Sequence, residues 1–444
     1  MSDKLVLLDE LQNKVLKVRI YPTNEQISLL NQTFGCCRKL YNEHLQERNE
    51  FYIDNIIPIK SKATKQEITE IYKTFKPKTE KDWKVIYPYL AEVSSCALQQ
   101  SRRDCDSAFL NFFKSNNCSR KGKSGFPKFK SKHNNKQSYR EVMVSDNNFC
   151  FEERWVKIPK VGKVRFKDRA FPIWWNRKTK LCSMTIERSA SGNFYVAILF
   201  EVQKAIRKNA NTSSLGLDFS PSEMYVSSES QTGKDFGYVA QKQAHKKQLR
   251  KLERQLARKQ KSSNNRNKAR IKVARLEEHI ANSRKDWIEK ETLRLVKLYK
   301  RIVVEDLNLK GISRFLRNAK NMNDTSWATF VSRLQAKGEE YSCKVIKADR
   351  YFPSSQLCNV CSFQYKDLKL SDRTWVCPKC GTSHIRDVNA AINLMKYVPL
   401  EERELTPVDS DTISDLAMLA LQAGTLDEAG RVVQATLSKN VPGL

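Results

Sequence analysis

The chain has 444 residues, enough for roughly two to four domains, and its 80 Lys and Arg exceed its 49 Asp and Glu for a formal net charge of +31. Such an excess indicates a polyanionic partner, with nucleic acid the first candidate. A membrane role is disfavoured because no stretch approaches the ~18–20 apolar residues of a spanning helix, and the first residues lack a signal-peptide core. Only four of the twelve cysteines are closely paired, so we expect a reducing, cytoplasmic location.

The residue pattern of the N-terminal part predicts one strand followed by helices. Alternating apolar and basic residues predict a strand over Val15–Tyr21, and helical spacing predicts a helix over Ile27–Phe51. Thr23 precedes that helix, with a glutamine three residues later, the spacing of a capping box. A second helix is predicted over Tyr89–Phe113, after a lysine-rich, turn-prone segment at Lys60–Lys81. The outward polar and basic faces suit a nucleic-acid duplex, although a solvated helix surface explains any single residue equally well.

The next segment, Ser119–Arg140, has eight Lys or Arg and no acid. Its glycines and proline exclude a long helix, and its charge favours phosphate contact. Phe126, Phe129 and Tyr139 lie among the basic residues, where they either stack on bases or anchor the loop in a core. Short strands then recur, which is typical of a small barrel or sandwich joined by the first strand; they are predicted at Phe149–Phe151, Trp155–Ile158, Lys163–Phe166, Leu181–Arg188 and Asn193–Glu201, before a polar linker at Lys204–Thr212.

A strongly basic segment lies in the second half of the chain. Lys242–Arg275 has fourteen Lys or Arg and one acid, and its leucines predict a helical hairpin broken near Ser262–Asn265. A solvated surface helix is the alternative, but this charge density favours phosphates. A helix over Trp327–Glu340 and a strand over Ser342–Ala348 follow. Pro399–Gly430 instead has eight acids and one Arg, so this region cannot share the nucleic-acid surface.

Three acids stand at the ends of predicted buried elements. Asp218 lies within an alternating strand, Glu305 closes a β-branched run, and Asp387 leads an apolar helix. They are 87 and 82 residues apart in the sequence, so only a tertiary fold unites them. Convergent carboxylates would be neutralised by Mg²⁺, and two such ions ~3.5–4 Å apart support phosphodiester hydrolysis. For each acid alone, a solvated strand end or a helix cap is at least as good an interpretation.

Two Cys-x-x-Cys pairs predict a closed tetrahedral Zn²⁺ site. The ligands are Cys358, Cys361, Cys377 and Cys380, and fifteen residues separate the two pairs. Four thiolates leave no position for water, so the ion is structural. His384 is interpreted as a surface group or as one that lies behind the ligands.

Motifs spread over Val15–Lys396 resemble the TnpB family of transposon-encoded, RNA-guided DNA endonucleases, which are related to type V CRISPR effectors. These motifs are KVRIYPTNEQ, FGCCRKLYN, SGFPKFKSK, GLDFSPSEMYVSS, VVEDLNLKGI, YFPSSQLCNVC and CPKCGTSHIRDVNAAIN. The resemblance implies that Asp218, Glu305 and Asp387 are the catalytic, Mg²⁺-binding residues of a RuvC-like site, with Mn²⁺ as a substitute, and that the four cysteines hold Zn²⁺. The chain departs from the family at Phe219-Ser220-Pro221, where a glycine-rich turn is common, and at Ile385, where an aspartate is common.

The resemblance also implies a multidomain α/β fold: a RuvC-like (RNase H fold) nuclease with an inserted zinc ribbon, and an N-terminal β-barrel interrupted by a helical recognition lobe. The expected ranges are 1–22 and 138–203 for the barrel (wedge), 23–137 for the lobe, 204–351 and 385–400 for the nuclease, 352–384 for the ribbon, and 401–444 for a mobile acidic tail.

The expected function is RNA-guided DNA cleavage, with a guide RNA and target double-stranded DNA as partners and no membrane. Gln99, Gln100 and Arg102 are candidates for reading a short target-adjacent motif. A nuclease-inactive RNA-guided repressor and a transposase are the alternatives; the three intact acids argue against the repressor.

Overall fold

The computed structural model describes most of the chain, namely residues 5–59, 61–116, 124–144, 149–152, 154–167, 179–221, 223–232, 239–307, 326–369 and 371–399. The expected acidic tail, residues 401–444, and the first part of the basic segment at Ser119–Arg140 lie outside these ranges.

The N-terminal strands form one seven-stranded antiparallel sheet in the order β2-β6-β7-β1-β5-β4-β3. Its strands are β1 (Leu5–Tyr21), β2 (Gln137–Val142), β3 (Cys150–Phe151), β4 (Trp155–Ile158), β5 (Gly162–Phe166), β6 (Lys180–Arg188) and β7 (Phe194–Arg207). The first strand therefore begins ten residues before the predicted start at Val15. The reason is its long partner, since β1 pairs with β7 from Leu5 opposite Arg207 to Ile20 opposite Phe194. For the same reason the predicted linker at Lys204 is still strand.

Four helices are inserted between β1 and β2: α1 (Asn24–Phe51), α2 (Lys65–Thr74), α3 (Glu80–Ile86) and α4 (Ser95–Asn116). The predicted capping box at Thr23 is present. The prediction of one helix from Tyr89 was wrong, because Pro88 begins a short 3₁₀ turn and Val93 is extended before α4 begins. Lys60–Lys81, expected to form turns, contains α2 and the first residues of α3, and each of these helices is started by a threonine capping box. Leu30, Phe34 and Leu98 bring α1 and α4 onto the sheet's apolar face.

A second sheet of four strands has the order β11-β10-β8-β9. Its strands are β8 (Ser214–Ser220), β9 (Met224–Ser227), β10 (Arg301–Val304) and β11 (Lys344–Lys347). β8, β10 and β11 are parallel, whereas β9 is antiparallel to β8. Parallel neighbours require long crossovers, which explains why acids more than eighty residues apart in sequence reach adjacent strands.

Helices α6 (Asn264–Leu298) and α7 (Trp327–Glu340) cover one face of this second sheet, and α8 (Arg386–Lys396) covers the other, while α5 (Val239–Ala257) packs against α6. The predicted basic hairpin is confirmed as α5 and α6, and its break at 258–263 overlaps the predicted break at Ser262–Asn265, whose last two residues already belong to α6. Leu215, Leu217 and Val304 face a core with α6 and α7, while Val303 faces Leu394 of α8 on the opposite side. Among the described residues, every helix falls short of the length and apolarity that a bilayer crossing requires.

Candidate active site

Asp218 and Glu305 occupy equivalent positions on neighbouring parallel strands. Leu217 of β8 pairs in register with Val304 of β10, and each acid is the next residue along. Adjacent strands are ~4.8 Å apart, and residues that follow an in-register pair share the same face. The two carboxylates therefore lie side by side on the face opposite Leu217 and Val304, where both are partly open to solvent.

Helix α8 brings Asp387 to the same face because Gly216 has no side chain. A Cβ on Gly216 would lie 1.9 Å from the carbonyl oxygen of Ala391 and 2.5 Å from the amide nitrogen of Met395. The helix backbone therefore rests directly on β8, on the face that Asp218 shares, since the two residues are two apart in a strand. Asp387 is one helical turn before Ala391 and Asp218 is two strand positions beyond Gly216, so the packing brings the third acid toward the first two. Sequence reasoning missed Gly216; a glycine inside a buried strand was the available signal.

The electrostatics of Asp218 reflect the nearness of the other two acids. The pKa of Asp218 is raised well above its usual value, first by desolvation and then by the negative charges of Glu305 and Asp387. Desolvation also raises the pKa of Glu305, while the charge of Arg386 opposes both shifts. Oxygen ligands crowded in this way fit a hard divalent cation, which removes the repulsion.

One basic side chain at the site was not foreseen. Arg373 precedes strand β12 (Thr374–Val376) of the cysteine-rich segment, and its Nη1 lies 3.5 Å from Oδ2 of Asp387. The side chain of Arg373 is 75 % exposed, so it can move toward a bound anion. The Arg373 carbonyl accepts a hydrogen bond from the Arg386 amide, which joins this segment to the start of α8.

The four predicted cysteines converge on one point. Their sulfur atoms all lie within 4.8 Å of one another, and the Cys358–Cys380 and Cys361–Cys377 pairs are both 3.6 Å apart. Ligands ~2.3 Å from a tetrahedral Zn²⁺ would be about 3.8 Å apart, so the donor set fits that ion. Two short strands, β12 and β13 (Ser383–Ile385), support the second pair.

His384 is not a surface group, so that part of its interpretation was wrong. It is 5 % exposed, its ring lies 4.7 Å from the Trp375 ring at a tilt of 44°, and its Nε2 is 3.1 Å from the Cys358 sulfur. It therefore lies behind the thiolates, as the other interpretation proposed. Ile385 occupies the N-cap position of α8, where it makes no side-chain cap.

Two buried asparagines connect the cysteine cluster to the helix that carries Asp387. The Asn389 amide donates to the Leu357 carbonyl at 2.7 Å and its Oδ1 accepts from the Asn359 amide at 3.0 Å. Asn393, one turn later, donates to the carbonyls of Ser354 and Leu357. Helix α8 therefore supports the segment that carries the first Cys-x-x-Cys pair, and the position of this segment constrains the position of α8.

The remaining predicted contact residues divide into accessible and inaccessible ones. Gln100 is 4 % exposed and cannot read a base from this conformation. Gln99 is exposed, and Arg102 is half-buried, 3.7 Å from Glu80. Tyr139 is buried, which favours anchoring over base stacking for that residue, whereas Phe126 and Phe129 are exposed, although Phe126 also packs edge-on against Phe109 and Phe112.

Comparison with protein families gives three matches along the chain. Residues 12–55 match a profile described as a helix-turn-helix domain, 197–316 one described as "Probable transposase", and 327–394 one described as a Cas12f1-like TNB domain. The first span contains the end of β1 and the single helix α1 rather than two helices joined by a tight turn. The other two spans contain Asp218, Glu305, Asp387 and the four cysteines.

Two relatives extend over almost the whole chain. A Streptomyces pristinaespiralis protein named as an RNA-guided DNA endonuclease is 30 % identical over 386 residues, which is 86 % of this chain and 88 % of the relative. The similarly named InsQ of Escherichia coli K12 is 27 % identical, covering 86 % of this chain and 91 % of the relative. Among solved structures, a Cas12f1 complex with single-guide RNA and target DNA aligns with a TM-score of 0.49 at 13 % identity, covering 87 % of this chain and 99 % of that one.

Proposed function

The chain belongs to the TnpB family, and from that premise we propose that it is an RNA-guided DNA endonuclease that hydrolyses phosphodiester bonds at Asp218, Glu305 and Asp387. The observation that carries the proposal is the in-register placement of Asp218 beside Glu305 on the face covered by α8. An Asp218 carboxyl whose pKa is raised by desolvation and by the negative charges of Glu305 and Asp387 is poorly suited to a purely structural role. The strand order, with three parallel strands and an antiparallel β9, is compatible with a RuvC-like (RNase H) sheet.

The carboxylates are suited to holding divalent ions for phosphodiester chemistry. Asp218, Glu305 and Asp387 would hold two Mg²⁺ ions, or Mn²⁺ in their place, which supply an activated water and charge stabilisation for the leaving oxygen. Asp218 and Glu305 fix two sets of oxygen ligands on rigid strands, and Asp387 adds a third from the first turn of α8. Arg373 is exposed beside Asp387 and is positioned to meet phosphate charge that enters the site.

The four cysteines would hold one structural Zn²⁺ as a ribbon inserted before α8. The chain enters the cluster after β11 and leaves it directly into the helix that carries Asp387. The hydrogen bonds of Asn389 and Asn393 fix the ribbon to this helix. We propose that the ribbon, residues 352–384, positions Asp387 and lies between the nuclease segments 204–351, whose first four residues still belong to β7, and 385–400.

The antiparallel sheet (1–22 and 138–203) and its helical insertion (23–137) would hold the guide RNA and the target. The basic hairpin of α5 and α6 adds a second positively charged surface. A basic surface binds a heteroduplex through the phosphate backbone, while base pairing between guide and target supplies the sequence specificity.

Purification with associated RNA tests the proposal against its alternatives. We expect one abundant bound RNA, cleavage of double-stranded DNA that matches its guide segment in Mg²⁺, and loss of cleavage after the RNA is digested. Target occupancy without strand breaks would indicate a repressor. Strand-transfer products formed without RNA would indicate a transposase, the description carried by the profile over 197–316.

A further inference from the structure

Three arginines from three different elements meet at the junction between the antiparallel sheet, its helical insertion and the basic hairpin. Arg188 ends β6, Arg38 lies in the middle of α1, and Arg270 lies in the first half of α6. Nothing in the predicted active site uses them, since that site is built from the other sheet and α8.

Hydrogen bonds show how closely the three side chains approach. Arg188 donates to Oδ1 of Asn31 on α1 at 2.8 Å. Arg38, two turns along the same helix, donates at 3.2 Å to Oε1 of Gln137, which is the direct cross-strand partner of Arg188. Cross-strand partners have Cβ atoms ~4.5–5.5 Å apart, so the Arg38 guanidinium lies next to Arg188.

Arg270 completes the group from the hairpin. Its guanidinium donates at 3.2 Å to the carbonyl of Ala190, two residues after Arg188. The carboxylate of Glu278, two turns further along α6, accepts hydrogen bonds from Ser191, Asn193 and Tyr195. This second connection fixes α6 against the β6–β7 turn, so Arg270 is held in place.

Within the described part of the chain, the three guanidiniums donate to neutral partners, namely two side-chain amide oxygens and one backbone carbonyl. Among the described residues, no carboxylate forms an ion pair with any of the three, although eighteen such pairs involve other groups. The positive charges of Arg270 and Arg38 contribute, after desolvation, to lowering the pKa of Arg188. Like charges collected in this way are unfavourable until an anion joins them.

Space for an anion lies next to Arg38. A cavity of about 180 Å³ on the Arg38 side of the group is lined by Arg38, Gln137, Lys130 and Lys136, with Asp104 as its one acidic wall residue, while Arg188 and Arg270 lie outside its lining. Guanidinium groups present planar pairs of donors that match two oxygens of a phosphate.

We propose that Arg38, Arg188 and Arg270 form one binding site for a phosphodiester group of bound nucleic acid, and that its occupancy joins the recognition helix, the sheet and the hairpin. The identity of the ligand as nucleic acid rests on the proposed function; the anion site itself does not. Its chemistry is shared by guide RNA and target DNA.

Inorganic phosphate tests the site without any nuclease assay. Thermal unfolding of the RNA-free protein is compared in phosphate and in chloride at equal ionic strength. We expect phosphate to raise the Tm of the wild-type protein, and Arg188→Gln and Arg270→Gln to lose this increment without a lower Tm in chloride, because they relieve repulsion. Lys290→Gln, which removes an exposed lysine paired with Asp286 on α6, is the matched control and should keep the wild-type increment. An equal increment in the wild-type and arginine variants would overturn the proposal.

Nucleic-acid binding separates the two sources of the phosphodiester. If Arg188→Gln or Arg270→Gln lowers the affinity for RNA about tenfold, and the slope of log affinity against log salt concentration becomes smaller by roughly 0.7–0.9, the site binds the RNA. If the variants lose affinity only when the RNA-loaded protein binds DNA, the site binds the target. Unchanged affinity in both arms refutes the site even if cleavage is RNA-guided. Retained phosphate binding in a protein that proves not to be a nuclease refutes only the proposed function.

Discussion

The contact between Gly216 and α8 gives a sharp test of how the active site is assembled. In Gly216→Ala the new methyl group would meet the Ala391 carbonyl at 1.9 Å and the Met395 amide at 2.5 Å. Carbon normally approaches other heavy atoms to ~3.5 Å. Both obstacles are backbone atoms, so rotation of a side chain cannot relieve them, and α8 must move away from β8 by about 1.5 Å.

Such a shift displaces Asp387 relative to Asp218 and Glu305. A displacement of ~1 Å at a catalytic group can lower the rate about 100-fold, and overpacking of this kind destabilises by about 1–3 kcal/mol. We expect single-turnover cleavage by Gly216→Ala to fall by about that factor, while RNA affinity stays near the wild-type value. Raising the Mg²⁺ concentration should restore part of the rate, because the ligands are displaced rather than lost.

A matched glycine separates misplacement from general destabilisation. A Cβ on Gly338 would lie 2.6 Å from the Cys343 carbonyl oxygen and 2.8 Å from Cγ2 of Val345, between the end of α7 and β11. Gly338→Ala should therefore lower stability to a similar extent and leave the cleavage rate of the folded protein much higher. If both variants lose stability and Gly216→Ala still cuts at the wild-type rate, the argument that this glycine seats the catalytic helix is refuted.

Three further predictions follow from other parts of the molecule. Cys377→Ser should lower bound zinc and the cleavage rate together, as measured by metal analysis and a cleavage assay; a zinc-free variant with the normal rate would show that the ribbon is dispensable for catalysis. Asn389→Ala removes the links to Leu357 and Asn359, and we expect slower cleavage with zinc retained, whereas loss of zinc with an unchanged rate would contradict the positioning role. Burial raises the pKa of Glu141 to about 7, so ionisation of this carboxyl lowers the stability of the protein as the pH rises from the unfolded-state pKa of about 4.3 through about 7. Glu141→Gln should therefore raise the Tm at pH 8 and have less effect at pH 5. An equal change in Tm at both pH values would refute this assignment.

The sequence predicted the elements whose pattern is local. The boundaries of α7 and the existence of the α5–α6 hairpin follow from helical periodicity, and the four cysteines were recognisable from spacing alone. The ends of β1 and β7 were missed because their length depends on each other, and polar residues such as Gln12 and Gln203 join the ladder only through the partner strand. The two helices that begin within Lys60–Lys81 carried a recognisable capping signal that the lysine content obscured.

In the candidate site, too, features with a local sequence pattern were predictable and features that depend on tertiary contacts were not. Each acid was recognisable as an unfavourable residue at the end of an apolar run, and the family resemblance united the three. The contributions of Gly216, Arg373 and the buried asparagines depend on contacts between segments far apart in sequence. The arginine group is likewise invisible in the sequence, because Arg38, Arg188 and Arg270 meet only through tertiary structure.

The central claim is that Asp218, Glu305 and Asp387 carry out RNA-guided cleavage, and isosteric removal of one carboxylate tests it most directly. The RNA-loaded protein is mixed with matching double-stranded DNA and Mg²⁺, and single-turnover cleavage is compared for wild type, Asp218→Asn, Glu305→Gln and Asp306→Asn. Asp306 is the matched control, because it follows Glu305 directly and pairs with Arg350 at 2.7 Å instead of facing the other acids. We predict no detectable cutting by the first two variants, normal RNA content in all, and substantial cutting by Asp306→Asn. Cleavage at the wild-type rate by Asp218→Asn or Glu305→Gln would contradict the account.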